Sequence, residues 1–179
     1  MGYYPTSCDN LIPHSCDPCE TREFGRVRSA GFIQKDYILA DPTNAADWLT
    51  GIDMGAIILI PETNGAVAAG AAKLGPGYGE TFETLLGYDF SAKIHDPNYV
   101  SNAAFYNQII GNRDFKFFYR TSNHVHITGV PVTIIPNTEI KDDLNGEVVW
   151  MIDVKWIDQK FAEPILTPDG VFDSCFIPA

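Results

Sequence analysis

The sequence predicts a mainly β protein: an antiparallel β-sandwich or barrel with one flanking α-helix. Three observations predict it. Residues 115–120 and 147–156 alternate apolar and polar side chains at period two. Turn signals built from Gly, Pro, Asn and Asp recur between the apolar runs. The best helical spacing is confined to one short segment, 101–111.

Residues 1–20 are rich in Pro, Cys, Asp and Ser and show no periodicity, as expected of an extended arm. The domain plan is therefore an N-terminal arm over 1–30, a β-domain over 31–160 and a C-terminal extension over 161–179. Within the domain, GFIQKDYILA is expected as a first strand, with Phe32 and Ile33 near its start and Ile38 and Leu39 near its end. DPTNAADWLTG predicts a short helix, capped by Thr43 or Asn44, with Asp47 in an early turn and Gly51 closing it. GAIILIP is a short strand, apolar on both faces and so expected to be covered on both.

Residues 62–84 are rich in Gly and Ala and offer little to pack, which predicts a long loop. A loop of that length is uncommon unless it has a function. Its GPGYGE stretch (Gly75, Gly77, Gly79) lacks the Lys-Ser/Thr of a phosphate-binding loop, and a strand rather than a helix is expected after it. That strand is long: Leu86, Tyr88, Phe90 and Ala92 alternate with Leu85, Gly87, Asp89 and Ser91. After Asp96-Pro97, residues Ala103, Tyr106 and Ile110, with Phe105 and Ile109, fall at helical spacing. Ser101 is placed to cap this helix and Gly111 to stop it.

The rest is strongly β. Phe115, Phe117 and Tyr119 alternate with Lys116, Phe118 and Arg120; HVHIT and PVTIIP follow. The Asn145-Gly146 turn leads into a strand whose Val148, Trp150, Ile152, Val154 and Trp156 form one apolar face. Phe118, Val149 and Met151 lie on the opposite faces, so these strands need cover on both sides. In a chain this small, a second subunit is a candidate for one of them.

Composition excludes some function classes. The chain has 179 residues, 45% of them hydrophobic, so it can bury a core. It carries 12 Lys and Arg against 23 Asp and Glu, for a net charge of −11, and its densest basic cluster is Arg22, Arg26 and Arg28. Tight nucleic-acid binding needs clustered cations to neutralise phosphates, so direct DNA or RNA binding is disfavoured. An acidic surface can still face DNA without binding it, because like charges keep a polyanion mobile. No apolar stretch approaches the roughly 20 residues of a membrane span, and MGYYPTSCDN has no basic start followed by an apolar run, so no membrane span and no secretory signal are expected.

The candidate chemistry is sparse. Cys16 and Cys19 form a CxxC, and Cys8 and Cys175 are the remaining thiols. Together these four are structural candidates for a zinc site tying the termini together, for disulfides, or for free thiols. His124 and His126 form an HxH that shares one face of a strand; binding a metal there requires a third ligand such as His95 or Asp96. Asp142-Asp143 belongs to a turn signal, no GxSxG is present, and Cys175 in the tail is poorly placed to meet a base. No catalytic or cofactor-binding residue is assigned, no metal ligand beyond the zinc candidates, and no enzyme is expected.

The run from GYDFSAKIHDPN to EVVWMIDVKW resembles the core of bacteriophage tail tube proteins: a strand ending in a turn (85–95), one helix (102–110), a strand pair (115–121 with 125–135), a polar turn (141–146) and a long closing strand (147–156). The chain also resembles small virion proteins of phages of gut Bacteroidota, including crAss-like phages. The resemblance implies a virion structural protein that self-assembles into rings of the tail or neck, in hexamers or dodecamers. The rings would join through sheet edges and stack through the loop at 62–84, alongside other virion tail or neck proteins. They would line a channel that DNA passes without specific binding. The Cys-containing arm and Pro-rich tail depart from that pattern. Two other readings compete: a head decoration or fibre-anchoring capsid protein, and a small metal-dependent enzyme using His95, His124 and His126.

Overall fold

The computed structural model describes residues 23, 25–61, 63–77, 83–142 and 144–172. In chain order they form β1 (Ser29–Gln34), α1 (Ala45–Asp53), β2 (Ile57–Ile60), β3 (Asn64–Pro76), β4 (Glu83–Asp96), α2 (Ala103–Ile109), β5 (Phe115–Arg120), β6 (His124–Ile127), β7 (Thr133–Thr138), β8 (Trp150–Asp158) and β9 (Ile165–Leu166). The strands make a five-stranded sheet, β2-β1-β5-β6-β9, and a four-stranded sheet, β3-β4-β8-β7. Every pairing is antiparallel. The sheets stay separate and open-edged, so the architecture is a β-sandwich and not a closed barrel.

Period-two alternation places the first core. Phe90, Ala92 and Ile94 of β4 and Trp150, Ile152, Val154 and Trp156 of β8 face inward from the four-stranded sheet. They meet Ala30, Phe32 and Phe117 of the five-stranded sheet, and Phe90 stacks on Trp156 with centroids 5.3 Å apart. Tyr106 and Ile109 of α2 join this cluster. The helix is shorter than the sequence suggests. Ser101 does not begin it, and Asn102, at the N-cap position, makes no side-chain cap bond. Its amide donates instead to Asp96 Oδ2 at 2.7 Å.

A second core lies on the other side of the five-stranded sheet. Ile33, Phe118 and Val125 point away from the sandwich, with Ile57 beside Ile33 on the same face, and are covered by Trp48 of α1 and by Val171 and Phe172. Trp48 sits edge-on to Phe118 at 5.0 Å and to Phe172 at 5.1 Å, and its indole N–H donates to the Pro42 carbonyl at 2.8 Å. The second apolar face of β5 is thus covered from within the chain, and no second subunit is needed there. The molecule has three layers, and helices flank it in two places.

Several expectations require correction. The expected loop at 62–84 contains β3, a strand of 13 residues, because its small side chains pair along β4 instead of packing. The expected first strand ends at Gln34, and Ile38 is 85% exposed. The arm does not extend to residue 30: Val27 is buried and bridges to Gly65, and Ser29 and Ala30 belong to β1. The tail is not purely superficial, since β9 extends the five-stranded sheet and Val171 and Phe172 are core. Asn44 caps α1 by accepting from the Ala46 N–H at 3.1 Å. Gly51 lies inside that helix, packed under Ile57, and Gly55, with φ +72, follows the end.

Candidate functional site

Each sheet has two edges, and three of the four are short or interrupted. β2 has 4 residues and runs into Pro61, β9 has 2, and β7 has 6 with Pro136 inside it. The fourth edge, β3, is 13 residues long with no proline before Pro76. Its only charged residue, Lys73, is held back by Asp89 at 3.1 Å. The Val27 N–H donates to the Gly65 carbonyl at 3.2 Å, which shows that the backbone groups of Gly65, and by alternation those of Val67 and Ala69, point away from β4. Ala66, Ala68, Ala69, Gly70, Ala71 and Ala72 are exposed. Among the described residues, the Val27–Gly65 bridge is the one backbone pairing on its outer side.

The far part of the β3–β4 hairpin stands clear of the sheet. β8 accompanies β4 only from Tyr88 to Asp96, while β3 follows β4 out to Glu83. The ladder is irregular between Ala69 and Ala72 and again between Lys73 and Leu74, just where β8 stops. Gly87 lies at that departure with φ +150, and a Cβ on it would come within 2.9 Å of Ile157 Cγ2 and 3.2 Å of the Asp158 carbonyl. Leu74, Leu86, Ile157 and Phe161 leave at least half of their surface exposed around this hairpin.

The solvent face of the four-stranded sheet carries both signs. Lys93 pairs in register with Asp153, and Ser91 with Lys155. This interspersion offers a polyanion no continuous basic track.

The sequence-predicted site residues do not converge. His95 is on the four-stranded sheet and His124 and His126 on the five-stranded one. Asp96 is fully buried, accepting from the Asn98 N–H at 2.9 Å, from Asn102 at 2.7 Å and from the Tyr106 hydroxyl at 2.7 Å. His126 stacks on Tyr119 with centroids 4.9 Å apart, and burial lowers its pKa below the ordinary 6.5, against an opposing effect of the Ala162 carbonyl. Among the described residues no group of three or more His, Cys, Asp and Glu is placed to hold a metal ion. Cys8, Cys16, Cys19 and Cys175 lie outside the described residues.

His124 has a different partner, one the sequence did not reveal. Its Nδ1 lies 2.8 Å from Glu23 Oε2, while Glu23 Oε1 accepts from the Asn123 N–H at 2.7 Å and the Thr121 hydroxyl at 2.5 Å. Burial would raise the Glu23 pKa, but the bonds from Asn123, Thr121, His124 and Ser122 outweigh it and hold the carboxyl far below the usual range. Glu23 thereby fastens the root of the N-terminal arm to the β5–β6 turn. It precedes His124 by 101 residues, and no local pattern signals such a contact.

Among the described residues, no helix is long and apolar enough to cross a membrane. Compared with models of known protein families and with curated protein sequences, the chain matches none.

Proposed function

We propose that this protein is a virion structural subunit that self-assembles into rings of a phage tail or neck. It works by adding strands across subunits and not by catalysis. The observation that carries the reading is the 13-residue β3 edge, which the described residues pair only at Gly65, through Val27, while the other edges are short or proline-interrupted. An exposed strand of that length is an aggregation hazard for a solitary protein; a ring subunit uses it as its joint, because a closed ring leaves no free edge. The hairpin beyond β8, with Leu74 and Leu86 exposed, is suited to reach the next ring.

A ring built this way lines a channel through which DNA passes without specific binding. The mixed Lys and Asp on the four-stranded sheet fit that role, because they neither grip nor strongly repel phosphates. The partners are copies of the same chain and other virion tail or neck proteins, assembled in the host cytoplasm.

The test is electron microscopy of the purified protein with mass photometry on the same sample. Rings or stacked rings of about six or twelve copies are expected. A protein that stays monomeric at high concentration, alone and with neighbouring virion proteins, contradicts the reading. Discrete trimers would point to a head decoration instead.

A further inference from the structure

Lys and Arg are outnumbered roughly two to one by carboxylates in this chain, at 12 against 23, so a cation has many chances to find an acidic partner. Lys35 and Lys73 do, at 2.8 Å from Asp114 and 3.1 Å from Asp89. Arg26 and Arg28 do not: among the described residues neither has a carboxylate within 4.0 Å or a side-chain hydrogen bond. They flank Val27, which is buried and held to Gly65, so the backbone carrying both guanidinium groups is anchored at its middle. Both side chains line one cavity of about 590 Å³, whose other walls include Asn64 and His95, register partners on β3 and β4. Thr63 also lines the cavity, and its hydroxyl donates to the His95 carbonyl at 2.6 Å. One carboxylate, Glu147, stands on the wall.

We propose that this cavity is a binding site for a phosphate group. Arg26 and Arg28 act as a two-armed clamp, with the Asn64 amide and the His95 ring as further donors. Each guanidinium presents several N–H donors in a fixed fork, and two arginines lining one cavity match the charge and oxygen count of a phosphate dianion better than a single carboxylate. Glu147 opposes a second negative charge, so it tunes the affinity downward. The site lies at the Asn64 end of β3, next to the Val27–Gly65 bridge, and phosphate binding does not require assembly.

The experiment is a titration of the full chain with inorganic phosphate at constant ionic strength, followed by amide NMR shifts and calorimetry. Saturable shifts at Val27, Asn64, Gly65 and His95 are expected, with a dissociation constant of about 1 mM, because the groups are largely exposed. The double variant Arg26→Gln, Arg28→Gln should bind at least about tenfold more weakly with an unchanged melting temperature. Glu147→Gln should bind a few-fold more tightly. Short duplex DNA that moves the same amides and competes with phosphate identifies the nucleic-acid backbone as the source. DNA without effect assigns the site to free phosphate. The proposal is overturned by the absence of saturable shifts at about 20 mM phosphate, by undiminished binding in the folded double variant, or by acetate binding as tightly as phosphate.

Discussion

The hydroxyl of Tyr106 donates to Asp96 Oδ2 at 2.7 Å inside the protein, tying α2 to the last residue of β4. Asp96 is fully buried, and its other bonds come from Asn98 and Asn102 in the turn that leads to the helix. This one carboxylate organises the whole β4–α2 connection. Tyr106→Phe keeps the ring in the core but takes a donor from a buried acceptor. It should cost about 1–3 kcal/mol in chemical denaturation. Burial, then the Asp96 contact, raise the Tyr106 pKa, and burial raises that of Tyr119. The unfolded chain ionises first, so stability should fall as pH rises above about 10. Tyr106 should be missing from the alkaline absorbance titration until the protein unfolds, and Tyr119 should titrate later than an ordinary tyrosine.

Phe172 and Phe161 both lie beyond the last long strand, yet they should respond very differently to truncation. Phe172 is 2% exposed and packs on Trp48 and Phe118, so Phe172→Ala should cost about 3–5 kcal/mol. Phe161 is 60% exposed, and Phe161→Ala should cost about 1 kcal/mol. Equal melting temperatures for the two variants would contradict the second core.

Acid should weaken the fold in two stages. The His126 pKa is lowered by burial, so the unfolded state takes up the proton first. Its contribution is present above about pH 6.5 and is lost as pH falls toward the folded value. Glu23 is also lowered, so its contribution is present above the usual carboxylate range of about 4.3 and disappears only in strong acid. His126→Phe, which retains an aromatic ring on Tyr119, should flatten the melting temperature between about pH 5 and 7. Glu23→Ala should cost about 1 kcal/mol, modest because the pair is partly exposed, and should speed proteolysis near the arm root.

Edge strand and hairpin can be separated by substitution. Ala69→Pro removes an N–H that points away from β4, so the monomer should stay folded while ring formation is lost in mass photometry. Gly87→Val places a side chain against Ile157 at a backbone conformation β-branched residues rarely adopt. It should disturb the β3–β4 hairpin, at a cost of about 1–3 kcal/mol, and reduce stacking more than ring closure. Rings that persist in Ala69→Pro would assign the joint to another surface.

Elements whose signal is local could be read from the residues alone. The alternation of Leu86, Tyr88, Phe90 and Ala92 and of Trp150 through Trp156 pointed to two strands, because period two maps directly onto the two sides of a sheet; Phe90 and Ala92 are buried, whereas Leu86, beyond the end of β8, is exposed. Thr43 or Asn44 announced the start of α1, because a cap bond spans only two residues, and the structure selects Asn44. The β3 edge stayed hidden, since Ala and Gly carry little strand preference and only the ladder with β4 extends them. The sequence showed that Phe117 and Phe118 face opposite ways and need two covers. That the second cover is Trp48 and Phe172 emerges only on folding, because both lie far from Phe118 along the chain and meet it when the layers close. The Glu23 contact and the cavity of Arg26 and Arg28 are of the same kind: they bring together groups distant in the chain, and no local pattern encodes such distances.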